Sequence, residues 1–274
     1  MSYPGGKAAA GVYQRLINLM PPHETYIEAF LGGGAVLLNK RPAPLNVGID
    51  VDGAALRGVA GRLPVPCRTV TGGDGIRNAS SSVAGLASIA GNDGCCPGNI
   101  DAADDCGRRW RLLHTDALAW LRGRTWTGRE LVYLDPPYLM HTRSSSRRLY
   151  AFEPSMDGAG CDESWHVDLL ALALGLPCMV MVSGYWSELY ADLLAGWSSV
   201  AFTARDRAGN WHEERVWMNY PEPVALHDYA HLGENYRERE RIKRKRLRWR
   251  RRLRAMDVLE RRAILAELQG MGDG

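Results

Sequence analysis

No stretch of the chain stays apolar for the roughly 18 residues that a membrane-crossing helix needs, and no signal-peptide pattern opens it. A soluble, intracellular protein with reduced cysteines is expected, with no membrane partner. The six cysteines include no Cys-x-x-Cys knuckle, and the adjacent pair Cys95 and Cys96 suits a single tetrahedral ion poorly. Free thiols are expected rather than a zinc site, and no metal cofactor. The seven histidines show no metal-ligand spacing, and no Ser-His-Asp or Cys-His arrangement can be assembled. The dinucleotide fingerprint Gly-x-Gly-x-x-Gly is also missing. Counted from Gly32 and Gly34, its third glycine falls on Leu37, which counts against a nicotinamide dehydrogenase.

In place of these features the chain alternates short apolar runs with helical segments. Residues 179–182 read as strand, 186–194 as helix and 198–202 as strand. Such alternation predicts an α/β fold with a mostly parallel sheet and helices on both faces. Functional loops then gather at the carboxyl ends of the strands. At 274 residues the chain has room for one full-sized catalytic domain with appendages.

The apolar run Glu130-Leu131-Val132-Tyr133-Leu134 ends in Asp135-Pro136-Pro137-Tyr138. Consecutive prolines hold the backbone extended and donate no N–H, so carbonyls there can face a ligand. An exocyclic amine on a nucleobase is conjugated with its ring and is a poor nucleophile until polarised. Hydrogen bonds from its NH2 to the Asp135 carboxylate and the Pro136 carbonyl would draw the lone pair out of conjugation and fix the nitrogen in place. Tyr138 adds a flat face for stacking. The bland alternative for the tetrapeptide alone is a strand ending in a Pro-rich turn.

Near the start, Tyr3-Pro4-Gly5-Gly6-Lys7 precedes Tyr26-Ile27-Glu28-Ala29-Phe30-Leu31-Gly32-Gly33-Gly34, a strand running into a glycine turn. Three glycines let the backbone approach a ligand closely, and a helix beginning just after them offers free N–H groups. Leu45-Asn46-Val47-Gly48-Ile49-Asp50 is a second strand, ending in an acid 20 residues after Phe30, the spacing of a ribose-binding carboxylate.

Taken together in this order and spacing, these four segments resemble the Dam-type family of DNA adenine-N6 methyltransferases. The resemblance covers residues 1–60 and 108–221. It implies a Rossmann-like class I methyltransferase fold and the cofactor S-adenosylmethionine (SAM). By the same resemblance Tyr3, Lys7, Glu28, Phe30, Gly32, Gly33, Gly34 and Asp135 contact the cofactor. Asp50 holds its ribose, and Asp116 in His114-Thr115-Asp116 reaches its adenine. Asp135, Pro136, Pro137 and Tyr138 form the catalytic loop, and DNA is the partner. A cytoplasmic enzyme of a bacterial cell or a phage-infected host follows. The chain departs from the pattern at Ala29, where Pro is common, and at Asp52, where Asn is common; neither removes a group the chemistry needs. The same loop chemistry also fits cytosine-N4 methylation and, more distantly, RNA-base or protein-glutamine methylation. An accessory DNA-binding protein without catalysis is a reading of another class.

Residues 57–106 are rich in Gly, Ser and Asp and show no apolar period, so a flexible insertion is expected where a target-recognition domain would stand. The catalytic domain is thus expected over 1–56 and 107–226. In the polar loop after the catalytic motif, Arg143, Arg147 and Arg148 are candidates to hold phosphates while a base is extruded; an ordinary solvated loop is the alternative. His166 reads as structural.

The extension at 227–274 carries a basic helix. From 237 to 254 there are twelve Lys or Arg and two Glu, a local charge of +10 that leaves the rest of the chain at −7 within its net +3. Ile242, Trp249, Leu253, Met256, Leu259 and Ala263 recur at helical spacing. Dense arginine with one tryptophan points to phosphate tracking, with Arg244, Arg248 and Trp249 as contacts. A solvated helix docked on the body, a membrane-surface helix and a partner-binding helix end are the alternatives.

Overall fold

The computed structural model describes residues 7–8, 11–70, 98–142, 163–205 and 211–271. Within them, nine strands form one sheet: β1 (Thr25–Ala29), β2 (Leu45–Asp50), β3 (Cys67–Val70), β4 (Asn99–Ala103), β5 (Arg109–His114), β6 (Glu130–Leu134), β7 (Met179–Gly184), β8 (Ser198–Arg205) and β9 (Trp211–Met218). Their order is β3-β4-β5-β2-β1-β6-β7-β9-β8. The central five, β5-β2-β1-β6-β7, are parallel; β4 is antiparallel to β3 and β5, and β9 to β7 and β8.

Helices α1 (Val12–Ile17), α2 (Ala35–Asn39), α3 (Gly53–Ala60), α4 (Ala117–Gly123), α5 (Glu163–Gly175) and α6 (Glu188–Leu193) cover the two faces. Side chains alternate along each strand, so one apolar run serves both layers. In β6, Leu131 and Tyr133 join Leu16, Ile17, Val36, Leu56 and Val59 from α1, α2 and α3. Its Val132 and Leu134 join Leu118, Leu121, Leu169 and Leu170 from α4 and α5. This is a Rossmann-like arrangement. The chain moves outward from β1 through β2 to β5, then returns to place β6 on the other side of β1. The connections therefore diverge between β1 and β6, and the crevice at their carboxyl ends is the expected ligand position.

The flanks of the segment expected to be a flexible insertion belong to regular elements, a helix and two sheet strands. Residues 57–60 belong to α3, and β3 pairs antiparallel with β4 in the register Cys67↔Ala102 to Val70↔Asn99. Ile100 and Ala102 alternate into the core, a period too short to register against the Gly- and Ser-rich composition around it. The expectation for 71–97, including Cys95 and Cys96, lies outside the described residues, as do Tyr3, Arg143, Arg147 and Arg148. Cys67, Cys106 and Cys178 are free thiols.

The chain divides into two compact units, Met1–Asp228 and Tyr229–Gly274. The first extends two residues past the expected boundary because His227 and Asp228 are tied into it: His227 N donates to Met20 O at 2.9 Å, and Arg41 N donates to the Asp228 carboxylate at 2.8 Å. The second contains α7 (Tyr236–Ala255) and α8 (Val258–Gly270), neither with a buried residue. The apolar spacing predicts one continuous helix here, but the backbone turns extended at Met256 (ψ 154°) and Asp257 caps a new helix by accepting from Leu259 N at 2.8 Å. No described helix is long and apolar enough to cross a membrane.

Candidate active site

Register fixes which residues meet at the carboxyl edge. Ala29 pairs with Ile49 on one side and Leu134 on the other, and Leu134 pairs with Val182. Neighbouring strands lie about 4.8 Å apart. Phe30 and Asp135, each the first residue beyond its strand, therefore flank the divergence point between β1 and β6. Asp50 lies next along the edge, followed by Asp116 after β5.

The glycine bend is built for close approach. Phe30 is held at φ 64°, the only described non-glycine residue with positive φ, and Gly34 has φ 60°. Leu31 N donates to Ile49 O at 2.9 Å, so the bend folds across β2. Gly48 leaves room for it, since a Cβ there would meet Leu31 Cδ2 at 2.8 Å and Leu112 Cδ2 at 2.9 Å. A Cβ on Gly34 would meet Val59 Cγ2 at 2.8 Å. Gly32 N and Asp52 N donate to the two oxygens of Asp50 at 2.7 and 2.8 Å. Burial nevertheless pushes the Asp50 carboxyl above its ordinary range. With the Val51 backbone also contributing, the carboxylate keeps acceptor capacity for one further donor.

Glu28 points into the interior, where one oxygen accepts from Tyr26 OH at 2.9 Å and from Leu37 N at 2.7 Å. Burial pushes its carboxyl up to about 8. Leu37 is in the first turn of α2, so at this position the backbone donor that the glycine turn was expected to offer is taken by Glu28. Asp116 is exposed and caps α4, accepting from Ala119 N at 2.7 Å.

Asp135 sits in a buried charge cluster. The Lys7 ammonium lies 3.0 Å from Asp135 Oδ1 and 3.2 Å from Glu214 Oε2, and it also donates to the Tyr138 hydroxyl. Tyr138 OH in turn lies 3.5 Å from the same Asp135 oxygen. Lys7 is only 4% exposed, and burial alone would lower its pKa; the two carboxylates outweigh that and hold the ammonium well above its usual range. Asp135 is raised to about 6 by burial, against the pull of Lys7 and with the help of Glu214. Beneath the cluster, Tyr133 OH and Ser183 Oγ are hydrogen bonded at 2.8 Å.

Lys7, expected at the cofactor, lies against Asp135 and Tyr138 of the Asp-Pro-Pro-Tyr segment. Tyr138 is 8% exposed, with Lys7 Nζ 4.7 Å from its ring centroid and the Tyr185 ring edge-on at 4.5 Å. The flat face expected for stacking is thus already in contact with Lys7 and Tyr185. Sequence reasoning missed Glu214, Tyr185 and His212, whose ring lies 5.7 Å from Tyr185. For Glu214 the only signal was its place two residues before the buried run Val216-Trp217-Met218, inside the polar stretch His212-Glu213-Glu214-Arg215 that hides it. Because β9 is antiparallel to β7, its first residues lie at the carboxyl edge, where Trp211 is 63% exposed. Trp186, just beyond β7, is 52% exposed. His166 is fully buried, with Nδ1 2.9 Å from Tyr190 OH, as a structural role predicts. Among the described residues, no three His, Cys, Asp or Glu side chains converge as metal ligands.

The edge thus presents carboxylates at Asp50, Asp116 and Asp135 beside the half-buried ring of Phe30. That donor set fits a cationic ligand bearing hydroxyl groups, as SAM is.

No protein-family model and no curated protein sequence matches the chain. Solved structures similar to it include a precorrin 8W decarboxylase of Methanobacterium thermoautotrophicum, at 12% identity over 80% of this chain and 94% of that one, with a TM-score of 0.41. The 23S rRNA methyltransferase ErmE is 9% identical over 82% of this chain and 72% of its own, with a TM-score of 0.39. Magnesium protoporphyrin IX methyltransferase of Synechocystis, solved with bound SAM, is 9% identical over 76% and 75%, with a TM-score of 0.38. With identities this low, the reading of the site rests on its own residues.

Proposed function

We propose that the chain is a SAM-dependent DNA methyltransferase that modifies the N6 amine of adenine. The observation that carries this reading is Asp135, first residue past β6 at the divergence point, 3.0 Å from the buried Lys7 ammonium. SAM supplies, when bound, an electrophilic methyl group on a sulfonium. Phe30, Gly32, Gly33 and Gly34 shape its seat, Asp50 accepts from the ribose hydroxyls and Asp116 from its adenine amine. Asp135 and the Pro136 carbonyl accept the two hydrogens of the target amine, localising its lone pair and aiming it. Lys7 keeps Asp135 in the accepting form, and the Tyr138 hydroxyl fixes the orientation of the carboxylate. A paired base cannot bring its amine into this crevice, so the target is flipped out at a cost of about a few kcal/mol. After transfer the amine loses its proton to water, and no strong base is required.

The test is mass analysis of nucleosides from DNA incubated with the protein and SAM. N6-methyladenine is expected, and Asp135→Ala removes it. N4-methylcytosine would move the target to the other exocyclic amine, and absence of any methylated nucleoside would overturn the reading.

A further inference from the structure

We propose that α7 lays one face along the phosphate backbone of duplex DNA. Arg237, Arg241, Arg244, Lys245 and Arg248 stand at positions i, i+4, i+7, i+8 and i+11, a single stripe of the helix, and line a shallow furrow with Tyr236 and Glu240. The stripe is open because the unit's own leading segment lies against another side. Arg246 donates to Tyr229 O at 2.6 Å, and Arg239 to Gly233 O and Glu234 O at 3.5 and 3.4 Å. Two carboxylates temper it: Glu238 lies 3.8 Å from Arg241, and Glu240, on the stripe, is 3.5 Å from Lys243. Trp249, expected to join the phosphate contacts, lies about 100° round the helix from Arg248 and packs its ring against Arg252 at 5.6 Å.

Charge and length identify the occupant. From Arg237 to Arg248 the helix rises about 17 Å. Laid along a nucleic-acid backbone, that length meets several phosphates rather than one, and five cations less one for Glu240 leave four net positive charges to face them. The contact reads no base, so it supplies affinity and orientation without sequence preference.

Binding of the full chain to a 20-base-pair duplex, measured without SAM between 50 and 200 mM salt, tests this apart from methyl transfer. Two variants remove equal charge: Arg241→Gln/Arg244→Gln/Arg248→Gln from the stripe, and Lys243→Gln/Arg250→Gln/Arg254→Gln from the opposite side. Glutamine keeps the helix propensity of the residues it replaces, and circular dichroism verifies it. The stripe variant is expected to lose about 40-fold less affinity over that salt interval than the unaltered chain, the loss of nearly three counterion releases. The opposite variant keeps the original salt dependence. Equal responses of the two variants overturn the assignment. So does binding to vesicles of 3:1 phosphatidylcholine and phosphatidylserine that exceeds binding to the duplex at equal salt.

Discussion

Replacing Lys7 with methionine tests the charge cluster most directly. The ammonium lies 3.0 Å from Asp135 and is nearly inaccessible, so the variant strips a buried carboxylate of its counter-charge while keeping most of the side-chain volume. At an effective dielectric constant of about 20, a unit pair at that distance is worth about 5 kcal/mol, and breaking one side of a buried pair costs about 3–5 kcal/mol. At 1.36 kcal/mol per pKa unit this is a rise of about 2 to 4 units. Asp135 starts from about 6, so the variant's carboxyl should titrate at about 8 or above. At pH 7 the ionised fraction then falls from about nine-tenths to about a tenth or less. Methyl transfer from tritiated SAM to DNA, followed from pH 5 to 10, should therefore drop at least about tenfold at pH 7 and recover on the alkaline side. Lys7→Arg should keep the original profile. A Lys7→Met profile with its midpoint still near 6 would refute the role assigned to this pair.

Glu214→Gln removes a like charge that helps raise Asp135, so its rate profile should move to lower pH, seen as a higher relative rate at pH 5.5 in the same assay. Gly34→Ala combines a left-handed backbone with a Cβ 2.8 Å from Val59 Cγ2, and should destabilise by about 2–4 kcal/mol. That would appear as a melting temperature lower by roughly 5 to 15 °C, partly restored by adding Val59→Ala. Glu28 has a folded pKa of about 8, raised from 4.5, so its contribution to stability is full below pH 4.5 and is lost as pH rises through 8. Denaturant unfolding of Glu28→Gln should lack that part of the decline, and a pH dependence identical to the unaltered chain would sink the argument.

The central strands were legible because burial on both faces writes them as continuous apolar runs: β2 and β6 fall on the residues that the pattern marks. The alignment of Phe30, Asp50 and Asp135 along one edge was readable for the same reason, since each closes or follows a strand whose end is plain. β3 and β4 were not, because four or five residues of alternation are lost within a Gly- and Ser-rich stretch. Nor was the Lys7, Asp135 and Glu214 cluster, whose members lie 128 and 79 residues apart in the chain and meet only through the sheet order. The stop at Met256 was marked in advance only by Asp257, an acid that competes for backbone N–H groups and ends one helix by beginning another.

β9 enters the carboxyl edge of the parallel strands amino end first, between two strands that reach it carboxyl end first. A hairpin arm of this polarity is an exchangeable cassette: residues 211–214 can be varied to retune the acidity and aromatic lining of the crevice while every crossover that builds the parallel core stays untouched. An engineer seeking altered substrate preference would therefore diversify this arm first, and the short stretch from Gly184 to Trp186 facing it.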